Sequence, residues 1–135
     1  MECIFCKIIK REIPSNIIYE DEYTMAFLDI APVLPGHALV IPKKHVSSLV
    51  DLDDIELCHS LTIVKKVGEA LKKSLGAKGY NINVNNGEVA GQIIDHFHWH
   101  VIPRQNKEEL EQWPQGKYED DEGEKIAKKI ATELK

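Results

Sequence analysis

The sequence predicts an α+β domain, an antiparallel sheet of about five strands with helices packed to one side. Three observations carry this reading. Residues 80–85 and 96–102 each alternate in polarity, as strands with two distinct faces do, and the short loop joining them makes them antiparallel neighbours. Residues 17–20 and 24–28 form a second such pair about the charged turn Asp21-Glu22. Between the pairs, Asp53 followed by Glu56 is a helix-start signal, and the run to about Leu75 repeats apolar residues at helical spacing.

Taken in order, Phe5, Ile8 and Ile9 among Lys7, Lys10 and Arg11 predict a short N-terminal helix that closes before Pro14. Pro35-Gly36 is a turn, and His37 to Ile41 is nearly continuous in apolar character, which implies a strand buried on both faces. The long helix places Leu57, Leu61, Val64, Gly68, Leu71 and Leu75 on one stripe, with Ile63, Val67 and Ala70 as an extra apolar flank suited to a partner. Cys58 and His59 on it read as core filler and surface residue. In the strand from Tyr80 to Asn85, Ile82 and Val84 are expected to face the core and three Asn the other side. The loop from Asn85 to Gln92 has two glycines, which let amides approach an anion. Residues 1–104 are expected to form the domain. Residues 105–135 form a polar, acidic tail with Trp113, Pro114 and Tyr118, whose terminal helix, marked by Ile126, Ile130 and Leu134, is expected to pack on the domain.

At 135 residues, with 43% apolar and 29% charged side chains, the chain is long enough to bury its own core. A net charge of -5 argues against general affinity for nucleic acid or anionic membranes, so a phosphate site must be built locally. No apolar run reaches the roughly 18 residues of a membrane span. The start, Met1-Glu2-Cys3, lacks the basic and apolar regions of a secretory signal, and the cytosol is the expected location. Three cysteines, two of them only three apart, do not read as an extracellular disulfide framework.

The chemistry concentrates in Asp95-His96-Phe97-His98-Trp99-His100-Val101-Ile102-Pro103-Arg104, where three of six histidines alternate with strong strand formers. His96, His98 and His100 would share one face and Phe97, Trp99 and Val101 the other. Such a row is open to three readings: a merely wetted face, a catalytic three-histidine zinc site with water in its fourth position, or nucleophilic attack at phosphorus. Cys3 and Cys6, on one face of the first helix, supply half of a tetrahedral zinc site, or are two small reduced thiols in the core; a redox role is disfavoured because no strand precedes them.

The motif His96-Phe97-His98-Trp99-His100-Val101-Ile102 resembles that of the histidine triad (HIT) family, His-x-His-x-His-x-x with apolar x. Cys3-Ile4-Phe5-Cys6, Ala26-Phe27-Leu28-Asp29-Ile30, the run from Pro35 to His45, Asn85-Asn86-Gly87 and Ala90-Gly91-Gln92 match the family in order and spacing, over roughly residues 3–104. The resemblance implies a dimer built through the long helix and strand edges. It also implies hydrolysis or nucleotidyl transfer at the α-phosphate of a purine nucleotide, either a nucleoside phosphoramidate or a dinucleoside polyphosphate. His98 would be the nucleophile, forming a nucleotidyl-histidine, with its other nitrogen held by a nearby carbonyl, expected to be that of His96. His100 and His37 would steady the phosphoryl oxygens, and Asn85, Gly91 and Gln92 would border the phosphate. Asp29 would hold the ribose, and Phe5, Ile8 and Phe27 would line the base slot. Cys3, Cys6, His45 and His96 would hold a structural zinc, with no catalytic metal required. One position departs: Ile93 stands where family members usually carry Ser or Thr, and offers phosphate only its amide. A pocket that binds nucleotide without turnover, making the protein a dimeric sensor or scaffold, is the alternative function.

Overall fold

The computed structural model describes residues 2–134; the outermost residue at each end, included in the expected domain and tail bounds, lies outside the described residues. Five strands form one sheet in the order β1-β2-β3-β5-β4, each neighbouring pair antiparallel. They are β1 (Ile17–Glu20), β2 (Thr24–Leu28), β3 (Ala38–Pro42), β4 (Gly79–Asn83) and β5 (Trp99–Arg104). The helices are α1 (Ile4–Ile9), α2 (Asp54–Leu75) and α3 (Glu122–Glu133). Among the described residues no helix is long and apolar enough to cross a membrane.

The expected strands and helices form, but the helices cover both faces of the sheet. On one face Ala26, Ala38, Val40 and Val101 pack against Ile63, Val64, Val67 and Leu71 of α2. On the other, Met25, Phe27, Leu39 and Ile41 pack against Phe5 and Ile8 of α1. The near-continuous apolar run of β3 requires this: a strand whose successive side chains point to opposite faces and are all buried must be covered twice.

α2 starts where its sequence signal places it. Asp53 accepts from the Glu56 amide at 2.8 Å, Asp54 and Glu56 sit in the first turn, Lys72 and Lys73 in the last, and Gly76 ends the helix in the left-handed region. The buried stripe is rotated from the expected one. Ser60, Ile63, Val64, Val67, Gly68 and Leu71 face the sheet, whereas Leu61 and Leu75 are exposed. The uncovered flank is therefore on the Leu61 side, where Cys58, Leu61, Thr62 and Lys65 meet Tyr80 and Ile82 of edge strand β4. Ile82, expected in the core, is 46% exposed at this edge of the sheet. α3 also departs from expectation. It has no buried residue, so the terminal helix does not pack on the domain.

β5 begins at Trp99 rather than His96, and proline explains the shift. Its register with β3 pairs Trp99 with Val40, so Phe97 would next face Pro42, which has no amide to donate. The Phe97 amide turns to the Val46 carbonyl at 2.7 Å instead. Residues 96–98, with the first two histidines of the row, are thus freed from the ladder.

His59 is not an idle surface residue. Its Nε2 donates to Asp21 at 2.8 Å, tying α2 to the β1–β2 turn, and the same carboxylate accepts from the Tyr19 hydroxyl and the Tyr23 and Thr24 amides. Burial is the largest single influence on Asp21 and pushes its pKa up. The hydrogen bonds from Tyr23, Tyr19, His59 and Thr24 together outweigh it and bring the carboxyl down to about 2. A carboxylate depressed on folding stabilises above its unfolded pKa and loses that contribution as pH falls through the folded one. Asp21→Asn is therefore expected to cost about 1–2 kcal/mol at pH 7. In urea unfolding, the gap to wild type should close between 3.8 and about 2.

Candidate active site

The α1 face of the sheet, the loop from Asn85 to Ile94 and the turn after β2 enclose a cleft of about 640 Å³. That volume lies in the range of small-molecule sites. It brings together His37, His98, His100, Asp29, Phe5, Ile8, Phe27, Asn85 and Gly91. The histidines are placed by strand geometry. His100 lies opposite Leu39 in the register, which puts it on the α1 face, and His98 precedes it by one alternation. His37 lies at the mouth of β3 beside it, its Nε2 2.9 Å from His100 Nδ1.

The hydrogen bonds fix where each proton sits. His98 Nδ1 is 2.8 Å from the His96 carbonyl, which only accepts, so Nδ1 carries the proton and Nε2 holds a lone pair toward the cleft. The Val33 amide, which only donates, reaches His37 Nδ1 at 3.1 Å. In a neutral ring this leaves the proton on His37 Nε2, which donates to His100 Nδ1, and places the His100 proton on Nε2. One ring thus offers a lone pair and its neighbour a donor.

All three rings are biased toward neutrality. Burial lowers the pKa of His37 and His98, against the opposing pull of Asp29, whose carboxylate lies 3.7 Å from His37 Nε2. Burial, then the nearby His98 and His37, brings His100 down to about 4. In the free protein the flanking histidines are therefore neutral N–H donors, not cations. Asp29 Oδ1 accepts from the Ala31 amide at 2.9 Å.

The loop does less for the cleft than its sequence suggests. Gln92 Oε1 accepts from the Gly87 amide, and its Nε2 donates to the Ser47 and Ile94 carbonyls, so this side chain braces the loop and does not line the cleft. The Gly91 amide is bound to the Glu88 carbonyl at 2.9 Å. Gly91 takes φ +97, which favours glycine, and its carbonyl accepts from Asn85 Nδ2 at 3.3 Å. The Val33 amide and the cleft wall formed by Ile13, Pro14, Ser15 and Asn16 are absent from the sequence reading. A backbone donor leaves no mark in composition.

On the far side of His96, Cys3, Cys6, His45 and His96 gather their ligand atoms within 4.8 Å of one another. Cys3 and Cys6 Sγ lie 3.4 and 3.7 Å from His96 Nδ1, Cys6 Sγ 3.4 Å from His45 Nδ1, and the two Nδ1 atoms 3.2 Å apart. A tetrahedral zinc with ordinary bond lengths requires edges of about 3.3 Å between nitrogens and about 3.6 Å between nitrogen and sulfur. The donors match that figure closely. His96 Nε2 donates to the Pro42 carbonyl at 2.8 Å, which turns its Nδ1 lone pair to the other three.

A fold with these rings in one cleft and this donor set behind it has close relatives. Residues 10–107 match the HIT domain. The chain belongs to the HIT family. It is 57% identical over 102 residues to a HIT-like protein of Methanocaldococcus jannaschii, covering 76% of this chain and 78% of that one. It is 47% identical over 108 residues to the adenosine 5'-monophosphoramidase hnt1 of Schizosaccharomyces pombe, covering 80% and 78%. Among solved structures, a HIT family protein of Bacillus subtilis superposes with a TM-score of 0.88 at 38% identity, covering 98% and 96%. A Zn-bound histidine triad family protein of Mycobacterium smegmatis gives 0.78 at 34%, covering 98% and 95%.

The tautomers make a spectroscopic prediction. In an NMR titration the His100 ring should stay neutral through the usual histidine range and take a proton only near its pKa of about 4.

Proposed function

We propose that this protein is a nucleotide hydrolase or nucleotidyl transferase acting at the α-phosphate of a purine nucleotide, whose leaving group is an amine, as in a nucleoside phosphoramidate, or a phosphate chain. The observation that carries this is the lone pair of His98 Nε2, turned into a nucleotide-sized cleft while the His96 carbonyl holds the opposite nitrogen protonated. Such an imidazole attacks without first losing a proton. Membership of the HIT family and the relative named as an adenosine 5'-monophosphoramidase support the same reading.

His98 Nε2 forms a bond to phosphorus as the bond to the leaving group breaks, giving a nucleotidyl-histidine. Water then attacks phosphorus, the P–N bond to His98 breaks, and the nucleoside monophosphate leaves. The His100 Nε2–H, its tautomer set by His37, and the Asn85 amide donate to the phosphoryl oxygens as charge builds on them. Gly91 shapes that end of the cleft, Asp29 accepts from the ribose hydroxyls, and Phe5, Ile8 and Phe27 line the base slot. Gln92 serves by holding the loop.

Cys3, Cys6, His45 and His96 hold zinc in a closed four-ligand site. When bound it supplies a cross-link between α1, the chain after β3 and the triad, and no step of the reaction. The uncovered flank of Leu61, Tyr80 and Ile82 is the surface on which two copies join. The working location is the cytoplasm.

His98→Ala should lose turnover by about three orders of magnitude or more, with affinity for the nucleoside monophosphate nearly unchanged in calorimetry. Turnover retained in this variant would sink the nucleophile assignment. Metal analysis of Cys3→Ala and His45→Ala should show zinc, stoichiometric in the wild type, lost from each; retention in both would refute the donor set.

A further inference from the structure

Cys3 and Cys6 have a chemistry of their own besides holding a metal. Cys3 precedes the first turn of α1, with extended backbone (φ -95, ψ 117), and Cys6 lies within that turn. Their sulfurs stand 3.4 and 3.7 Å from His96 Nδ1 and within 4.8 Å of one another. Bringing them to the roughly 2.05 Å of a disulfide is a movement open to Cys3, whose main chain has not yet entered the helix.

Access differs between the two. Cys3 packs with the apolar cluster of Phe5, Ile8 and Met25, and its Sγ accepts from the Cys6 amide at 3.4 Å. Cys6 is half-buried, and its Sγ lies 3.4 Å from Nδ1 of His45, an exposed residue. The donor set is therefore closed on the side of His96, a ring with no exposure, and open to water at Cys6 and His45.

Reactivity follows from the ligand set. A thiol that coordinates zinc is deprotonated outright, so two thiolates stand side by side at neutral pH. A thiolate reachable from solvent, with a second one beside it, oxidises to a disulfide in preference to the higher sulfur acids. The product does not keep the metal: sulfurs bonded to each other have given up the thiolate charge, and they lie far closer than two corners of a zinc tetrahedron.

Two covalent routes lead from this cluster to the cleft. His96 carries the carbonyl that fixes His98 Nδ1, and Phe5 and Ile8, each two residues after a cysteine, line the cleft wall. Whatever loosens the cluster reaches both.

We propose, resting on the zinc reading above, that Cys3 and Cys6 are a peroxide-sensitive modification site whose oxidation releases zinc and weakens nucleotide binding in the cleft. The Cys6 thiolate attacks hydrogen peroxide: an S–O bond forms, the O–O bond breaks, and hydroxide leaves. The Cys3 thiolate then attacks the sulfenic sulfur of Cys6, and the S–S bond forms as the S–O bond breaks and a second hydroxide leaves. With two protons from solvent, two thiolates and one peroxide become one disulfide and two waters, two electrons passing from sulfur to oxygen. No strand precedes the pair as in a dithiol oxidoreductase, so it is the target of the oxidant and not a catalyst.

The test follows sulfur and metal in one sample. Zinc-loaded wild-type protein receives hydrogen peroxide beside a chromogenic zinc chelator, with chelator alone as the control, and aliquots are alkylated, digested with trypsin and weighed by mass spectrometry. Cys3 and Cys6 fall in the peptide ending at Lys7, and Cys58 falls in another. Zinc should appear, one ion per chain, in step with the loss of two hydrogens from the first peptide, and a thiol reductant with added zinc should reverse both. In calorimetry, affinity of the oxidised protein for adenosine monophosphate should fall about fivefold or more and return on reduction. Zinc retained under peroxide, or a peptide that gains oxygen instead of losing hydrogen, overturns the modification site and leaves the zinc reading standing. Zinc release with affinity unchanged, or a loss of affinity that reduction does not restore, overturns the link to the cleft. A reduced protein that binds no zinc defeats the zinc reading, and the proposal with it.

Discussion

The bond on which the rest depends runs from His98 Nδ1 to the carbonyl of His96, at 2.8 Å. It decides which nitrogen of His98 holds the proton, and so whether the cleft contains a lone pair or a donor. Its acceptor is well anchored. The same residue directs its ring the other way, Nε2 to the Pro42 carbonyl and Nδ1 toward Cys3, Cys6 and His45. One residue thus joins the donor cluster to the nucleotide cleft, and Phe5 packs edge-on against both His96 and His98, with ring centroids 5.8 and 5.2 Å apart. α1 contributes to each side: Cys3 and Cys6 to the cluster, Phe5 and Ile8 to the cleft.

Pro42 makes that arrangement available. A full ladder between β3 and β5 would have bound the main chain of residues 96–98 into the sheet. Because proline donates nothing opposite Phe97, pairing with β3 stops at Trp99, and the Phe97 amide goes to the Val46 carbonyl. The sheet supplies rigidity up to the edge of the cleft, and residues 96–98 lie outside the ladder.

Much of this was legible in the sequence, for reasons that can be named. Alternation at 80–85 and 96–102, the Asp53 start of α2 and the triad spacing are local patterns, and local patterns survive folding. The acceptor for His98 was legible too, because no acid sits in register. The losses have a common cause, since each depends on what lies across space. The apolar run of β3 states that both faces are buried but not that α1 covers the second. The buried stripe of α2 runs through Ile63 and Val67, which leaves Leu61 exposed beside edge strand β4. The pairing of His59 with Asp21 spans elements far apart in the chain. Gln92 was placed by its neighbours in sequence, whereas its amide group is spent within the loop. The tail helix has the amphipathic spacing of a packed helix without a surface in this chain to meet it.

The hydrogen bond from the Val33 main chain to His37 gives the row of rings a polarity. Amide, His37 and His100 follow one another, donor to acceptor, and only the first link cannot be reversed, because a peptide N–H never accepts. Side-chain changes at position 33 leave that direction alone. A proline there would erase it, leaving both rings free to turn their tautomers around. The sense of the relay is thus written in the backbone, at a position whose residue type gives no hint of it.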